Sequence, residues 1–158
     1  MNSLILAIIL TLLPLVELRG GLPVALINAS KYGVSQYLIF LIIVVLNILL
    51  IFVIFFFLDY LHKKLMKYSF YKKFYSFYLR RMQKKINRFE KSYASIGFLA
   101  LFFFVAIPLP LTGAYTGTFL SWVLGLNRKK SFIAIALGVL TAGIIIFLGT
   151  LGFISFLA

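Results

Sequence analysis

A carboxylate and a guanidinium stand together in an apolar part of this sequence. Glu17 and Arg19 lie in the stretch ELRGGLP, and Glu17 is one of only 3 acidic residues among 158. In such surroundings a carboxylate could carry a proton and a guanidinium could bind an anion, because an ionisable group inside a membrane is by default a functional candidate. The two side chains could instead form a buried ion pair that only stabilises a turn.

Glycine and proline follow this pair. We expect the segment to form a turn in which Gly20 and Gly21 let the backbone approach a substrate and Pro23 opens the next helix. The N-terminus of that helix would then present its partial positive charge to the middle of the molecule.

A second polar break, PLPLTGAYTG, interrupts another apolar stretch. Its hydroxyl groups and glycines could bind a substrate through side chains and backbone. The candidate substrate or proton pathway therefore also includes Pro108, Pro110, Thr112, Gly113, Tyr115, Thr116 and Gly117. Asn47, a buried amide in the first long apolar run, is a further candidate, although a packing hydrogen bond between helices explains it equally well.

The composition indicates an all-α integral membrane protein. Apolar residues make up 63% of the chain and its mean hydropathy is +1.10. The run from Tyr37 to Leu58 carries no charge, and at ~1.5 Å per residue it is long enough to cross a ~30 Å hydrocarbon core. The segment from Ser131 to Ala158 has the same character. The first apolar run has neither a basic start nor a small-residue cleavage site, so we expect it to belong to the folded domain.

Two other apolar segments are too interrupted to be simple spans. ELRGGLP divides the segment 3–30, and PLPLTGAYTG divides the segment 94–126. Each flank has about 8 to 16 residues, which as a helix reaches only the bilayer middle. Irregular backbone at that depth must be shielded by protein or line a cavity. We therefore predict two re-entrant helical hairpins.

The basic residues orient these hairpins. Of the 16 lysines and arginines, eleven lie between Lys63 and Lys91 and three more are residues 128–130. A re-entrant second hairpin places both clusters on one side, which is cytoplasmic by the positive-inside rule. We predict a multi-pass protein of the cell membrane with a cytoplasmic middle segment and with Lys31 and both termini on the other side.

The order of hairpin and span then occurs twice in a single membrane domain, 1–158. Residues 1–58 form the first copy, 59–93 the basic segment and 94–158 the second copy. An odd number of crossings separates the copies, so they are inverted repeats, and broken helices in inverted repeats are typical of transporters. Two kinked helices that pack only for stability are the alternative.

The basic segment 63–91 mixes cations with aromatic residues. Its pattern predicts an amphipathic helix on anionic lipid rather than a nucleic-acid interface. At its start, Asp59 is expected to pair with Lys63 four residues on.

Three stretches carry a family resemblance: ELRGGLP, AIPLPLTGAYTGTFLSWVLGL and SFIAIALGVLTAG. Together they resemble the small multidrug export protein family, over nearly the whole chain outside the basic middle. The architecture is more distantly similar to the DedA and VTT lipid-transport proteins, whose hairpins carry acidic and arginine residues. The second break here carries no charge, which departs from the DedA pattern. The resemblance implies an efflux function.

We expect a secondary transporter, with Glu17 as a candidate proton carrier, that moves a small amphiphilic substrate through a midplane site between the hairpins. A flippase or scramblase for lipid or lipid-linked phosphate is one alternative, and a membrane assembly protein without transport is another. The chain has no cysteine, no paired membrane carboxylates and no metal-ligand motif. We therefore expect no enzymatic activity, no cofactor and no metal site. So small an assembly is expected to be a homodimer.

Overall fold

Helices make up most of the described part of the chain. The computed structural model describes residues 3–14, 16–29, 33–69, 72–73, 76–77, 90–109 and 111–157. It is 83% helical, with no strand in those ranges, which confirms the all-α class. The helices are α1 (Ser3–Leu12), α2 (Glu17–Ile27), α3 (Gln36–Leu65), α4 (Glu90–Ala106), α5 (Ala114–Val123) and α6 (Arg128–Leu157).

Two of these helices are long and apolar enough to cross a membrane. They are α3 and α6, each of 30 residues, or about 45 Å at ~1.5 Å per residue. Both predicted spans are thus helical, and both extend beyond the apolar run at one end. His62, Lys63 and Lys64 occupy the last turn of α3, where cations interact favourably with the C-terminal end of the helix dipole.

The first break lies before ELRGGLP, not within it. α1 ends at Leu12 and α2 begins at Glu17, so the motif itself is helical. Pro23 lies inside α2 rather than in its first turn. The predicted position of the turn, and of Pro23 as the opening residue of a helix, is therefore wrong.

Close packing between α1 and α2 explains the glycines of the motif. A Cβ atom at Gly21 would lie 1.9 Å from Thr11 Oγ1 and 2.8 Å from the Ala7 carbonyl oxygen. At Gly20 it would lie 2.2 Å from Cγ1 of Val16. Gly21 thus lets α1 pack closely on α2, and Gly20 leaves room for the Val16 side chain.

The second break overlaps only the first part of the predicted one, because α4 ends at Ala106 and α5 begins at Ala114. It includes Pro108 and Thr112, whereas Pro110 lies outside the described residues. Tyr115, Thr116 and Gly117, which we expected in the break, lie in the first turn of α5, which follows it. Gly117 faces α4, because a Cβ there would come within 2.7 Å of Val105 Cγ2.

The helices named above pack in corresponding pairs. α1 contacts α2 and α3, and α4 contacts α5 and α6. Across the two halves, α2 packs on α6 and α5 packs on α3, while α3 and α6 also contact each other. The core between them contains Leu22, Leu26, Ile51, Ile135 and Val139. The two short helices α2 and α5 therefore lie between the two long ones.

Large apolar side chains cover the outward faces of the long helices. Phe56 is 76% exposed, Phe156 86% and Tyr37 73%. Soluble monomers rarely expose wide contiguous apolar patches, whereas such faces suit contact with lipid tails.

Part of the sequence prediction falls outside the described residues. Between α3 and α4 the structure describes only 66–69, 72–73 and 76–77. Most of the amphipathic helix predicted in the basic segment lies outside the described residues. Lys31, which is predicted on the opposite side of the membrane, also lies outside them. Both stay predictions.

Candidate functional site

The carboxylate of Glu17 caps a helix from the other half of the chain. Its Oε2 accepts a hydrogen bond from the backbone N–H of Ala114 at 2.8 Å, and its Oε1 accepts one from Tyr115 at 3.0 Å. These are the first two residues of α5, and the N-cap residue Gly113 has no side chain to serve them. The first N–H groups of a helix lack internal partners and carry partial positive charge, so a carboxylate there is stabilised. Glu17 is only 6% exposed.

Gly113 is required for this contact. A Cβ atom at that position would lie 1.7 Å from Oε2 of Glu17. The φ angle of Gly113 is −101°, which any residue adopts, so the requirement is steric and not conformational.

We expect Gly113→Ala to expel the Glu17 carboxylate from the N-terminus of α5. Both hydrogen bonds would be lost and the carboxylate left with poorer partners, at a cost of about 2 kcal/mol. Thermal unfolding in detergent measures this loss. The matched control is Gly149→Ala, because nothing lies within 4 Å of a Cβ at Gly149. Equal melting temperatures for the two variants would contradict the assigned contact.

Arg19 makes a second link between the two halves. One of its Nη2–H groups donates to Thr112 Oγ1 at 2.7 Å. The Thr112 hydroxyl lies 2.8 Å from the Ile107 carbonyl oxygen and 2.9 Å from that of Leu109, to which it can donate. Within the described part of the chain, Glu17 and Arg19 are not ion-paired with each other. The predicted pairing within the motif is therefore wrong: each group bonds to the second break instead.

A residue with a left-handed backbone lies directly after the first break, at the start of α2, and another lies within the second break. Glu17 has φ of 49° and Leu111, next to Thr112, has φ of 69°. Such angles are unusual for residues other than glycine, cost roughly 1–3 kcal/mol and persist where the surroundings impose them. The strain falls at the two points where the halves meet.

Asn47 lies beside this junction on α3 and is fully buried. Its Nδ2–H donates to the carbonyl oxygen of Ile43 at 3.2 Å, while Oδ1 has no protein partner. Asn47, Glu17, Arg19 and Gly113 line one cavity of about 10 Å³. The remaining walls are apolar: Leu18, Val105, Val139 and Ala142.

The structure thus brings together some of the predicted site residues and separates others. Glu17, Arg19, Asn47, Thr112, Gly113 and the backbone of Tyr115 meet. The hydroxyl group of Tyr115 donates to the Leu12 carbonyl oxygen at 2.8 Å. The Thr116 hydroxyl closes the local turn through the Leu111 carbonyl oxygen at 2.6 Å. Among the described candidates, those that do not line the cavity are Gly20, Gly21, Pro23, Pro108, Thr112, Tyr115, Thr116 and Gly117; Thr112 and Tyr115 are connected to it through Arg19 and Glu17.

A second polar cluster lies at the other end of α5. Asp59 accepts hydrogen bonds from Arg128 at 2.6 Å and from Trp122 Nε1 at 3.2 Å, and Arg128 stacks over the ring of Phe55 at 5.7 Å. The predicted partner of Asp59, Lys63, is replaced by an arginine 69 residues away. The sequence reasoning missed this cluster, although an acidic residue at the end of a charge-free run was a signal for it.

Comparison with known proteins adds the family. No curated protein and no solved structure matches the chain. The sequence pattern of one protein family matches residues 17–145, which is most of the chain. The match begins at Glu17 and includes every residue around the cavity. This helical chain, with two helices able to cross a membrane, therefore belongs to the family described as "Putative small multi-drug export protein".

Proposed function

We propose that this chain is a secondary transporter that exports a small amphiphilic substrate, with Glu17 as the group that couples transport to protons. The observation that carries the proposal is the buried Glu17 carboxylate of one half bound to the N-terminus of α5 in the other half. Burying a charge is costly unless it is well bonded, and proteins retain such groups at membrane depth mainly for function. The family is described as an export protein and not as an enzyme.

The helix pairs support an architecture of two inverted repeats with re-entrant hairpins. α1, α2 and α5 have 10, 11 and 10 residues, or about 15 Å each, too short to cross a bilayer alone. The first helix of each half packs on the long helix of the same half: α1 on α3, and α4 on α6. The second helix also packs on the long helix of the other half: α2 on α6, and α5 on α3. Discontinuous helices that meet between inverted repeats form the substrate sites of many transporters.

The topology that we propose has a direct test. With both basic clusters cytoplasmic, Lys31→Cys is expected to react with an impermeant thiol reagent from outside and Lys129→Cys only from inside. The chain has no cysteine of its own, so each single variant gives an unambiguous signal. Labelling of both positions from the same side would contradict the inverted arrangement.

Protonation of Glu17 gives a simple way to open the site. A neutral carboxyl accepts hydrogen bonds less strongly than a carboxylate, so adding a proton weakens the attachment of α5. The other end of α5 is attached through Trp122 to Asp59, so two of the three acidic residues of the chain hold the two ends of this helix. Its buried face carries only small residues, which allow it to shift with little steric hindrance: Ala114, Gly117, Thr118 and Ser121.

An apolar groove beside the site supports an amphiphilic substrate. The groove of about 320 Å³ lies between α1, α2 and α3, and its walls are Ala7, Ile8, Ala25, Val34, Leu38, Ile39, Ile42 and Ile43. Ile43 also accepts the hydrogen bond of Asn47, so the groove ends one helical turn from the polar cavity. A substrate with an apolar body and a polar head fits this arrangement.

The same groove keeps lipid translocation as the second candidate. An acyl chain would occupy it as well as a drug would, and Arg19 with the α5 N-terminus would attract a phosphate head group. Transport of a cationic dye and of a fluorescent phospholipid, each measured in proteoliposomes with and without a pH gradient, separates the two. If the pH gradient drives the movement of neither the dye nor the phospholipid, the result would favour a membrane assembly role without transport.

Several parts of the proposal do not depend on this site. We place the protein in the cell membrane, with the basic segment 63–91 on anionic cytoplasmic lipid, because cations near an anionic surface gain about 1 kcal/mol each. We also propose a homodimer, which would enlarge a small transport unit.

A further inference from the structure

We propose that the cavity between Glu17 and Asn47 is a binding site for one water molecule, and that this water delivers the coupling proton to Glu17. The inference deepens the proposed function and rests on it, because it names the coupling ion and the residue that positions it. Asn47 acts here through the water and is a positioning residue.

The orientation of the Asn47 amide directs an acceptor into the cavity. Nδ2 faces the Ile43 carbonyl oxygen, and exchanging the two amide atoms would set two oxygens against each other. Oδ1 is therefore left for the cavity, where it receives no hydrogen bond from the protein although Asn47 is fully buried. An unpartnered buried acceptor costs about 1–3 kcal/mol. A donor in the cavity would remove that cost.

The cavity has the size and the groups that a single water needs. Its volume of about 10 Å³ is roughly that of a site for one water. A buried water typically makes about three hydrogen bonds. A water there can donate one hydrogen to Asn47 Oδ1 and the other to a carboxylate oxygen of Glu17. Each of those oxygens accepts only one backbone N–H and has a further lone pair. Arg19 also lines the cavity and carries further N–H donors besides the one bonded to Thr112.

The charges around Glu17 favour a proton over a metal cation. The titratable groups that face it in the described part of the chain are Arg19 on its own helix and Tyr115 on α5. The walls from the other helices carry no charge; they are Asn47 from α3, Val105 from α4, and Val139 and Ala142 from α6. A metal ion would have two side-chain oxygen ligands and a guanidinium beside it, far from the six or more oxygens that hard cations take.

The proton transfer itself balances within these groups. The bound water gives one proton to a Glu17 carboxylate oxygen, and the oxygen–hydrogen bond that it loses is replaced by a proton taken up from solvent. The net change is one proton added to Glu17, after which its hold on the α5 N–H groups weakens. Release to the other side reverses the steps.

Infrared spectroscopy of the purified full-length protein tests this inference without any substrate. With only three acidic residues in the chain, the carboxyl stretch lost in Glu17→Gln belongs to Glu17. In Asn47→Leu, which removes the acceptor and fills the cavity, we expect that band to shift and its hydrogen–deuterium exchange to slow by about tenfold or more. Asn28→Leu is the matched control, because Asn28 makes the same bond to the carbonyl four residues back.

The outcomes separate the two proposals. No titrating Glu17 band in the wild type would overturn the coupling role of Glu17 and the water site with it. A titrating band that Asn47→Leu leaves unchanged in frequency and exchange would overturn the water site alone. If Asn47→Leu does not fold, a wild-type structure that resolves waters decides: a water bonded to both Asn47 Oδ1 and Glu17 is expected, and a dry cavity contradicts it.

Discussion

Glu17→Gln is expected to fold and insert but to lose transport driven by a pH gradient. Glutamine keeps the size of the side chain and one acceptor oxygen for α5, yet it cannot take up or release a proton. The rate of gradient-driven transport should fall by about a hundredfold, the order of magnitude of a lost proton-transfer group. The measurement is dye or lipid transport in proteoliposomes at equal amounts of inserted protein, with a pH gradient imposed.

Exchange without a gradient provides the control for this variant. If Glu17 is the coupling group, Glu17→Gln should still allow slow substrate exchange, because a neutral side chain resembles the protonated state. Asp59→Asn removes another of the three carboxylates, at the far end of α5; because Asp59 does not line the cavity, this variant is expected to change the transport rate but to keep its dependence on the pH gradient. Full gradient-driven activity in Glu17→Gln would remove the role that we assign to this carboxylate.

Arg19→Gln is expected to weaken the binding of an anionic substrate about tenfold or more, because a charge-assisted hydrogen bond contributes roughly 1.5–3 kcal/mol. The variant removes the cation beside the cavity and the bond to Thr112. Thr112→Val removes that bond but leaves the charge, so it should change stability more than affinity. Substrate-dependent quenching of Trp122, the only tryptophan, is a convenient binding signal.

The double variant Glu17→Gln/Arg19→Gln tests how the two residues are connected. Because they bond to different groups of the second break, their destabilising effects should approximately add. Removal of both partners of a buried ion pair would instead restore much of the stability that either single variant loses. Such recovery in detergent melting would contradict the two separate links between the halves.

The sequence was sufficient to predict the helical class and the two long helices, because charge-free runs are local signals, and it singled out Glu17, which the structure shows to be buried. It was not sufficient to predict the partner of Glu17. Arg19 is two residues away, whereas the N–H groups of Ala114 and Tyr115 are 97 and 98 residues away and leave no mark in composition. For the same reason, the sequence predicted Lys63, four residues away, as the partner of Asp59 instead of Arg128, which is 69 residues away.

Glycine misled the prediction for a different physical reason. Gly20 and Gly21 were expected in a turn because glycine favours irregular backbone, but both lie in α2, where the missing side chain of Gly21 lets α1 pack closely and that of Gly20 leaves room for Val16. Gly113 also makes room for a side chain, in its case the carboxylate of Glu17. Whether a glycine opens the backbone or allows close packing depends on tertiary contacts that the sequence does not display.

The most direct test of the central claim, that the protonation of Glu17 controls the attachment of α5, is a distance measured between α2 and α5 as the pH is lowered. Spin labels at Ile27→Cys and Phe119→Cys suit double electron–electron resonance, since both side chains are exposed and the chain has no other cysteine. We predict that acidification broadens or lengthens the wild-type distance distribution, and that Glu17→Gln shows the altered distribution at every pH. A distribution that responds to pH in the same way in both proteins would contradict the claim.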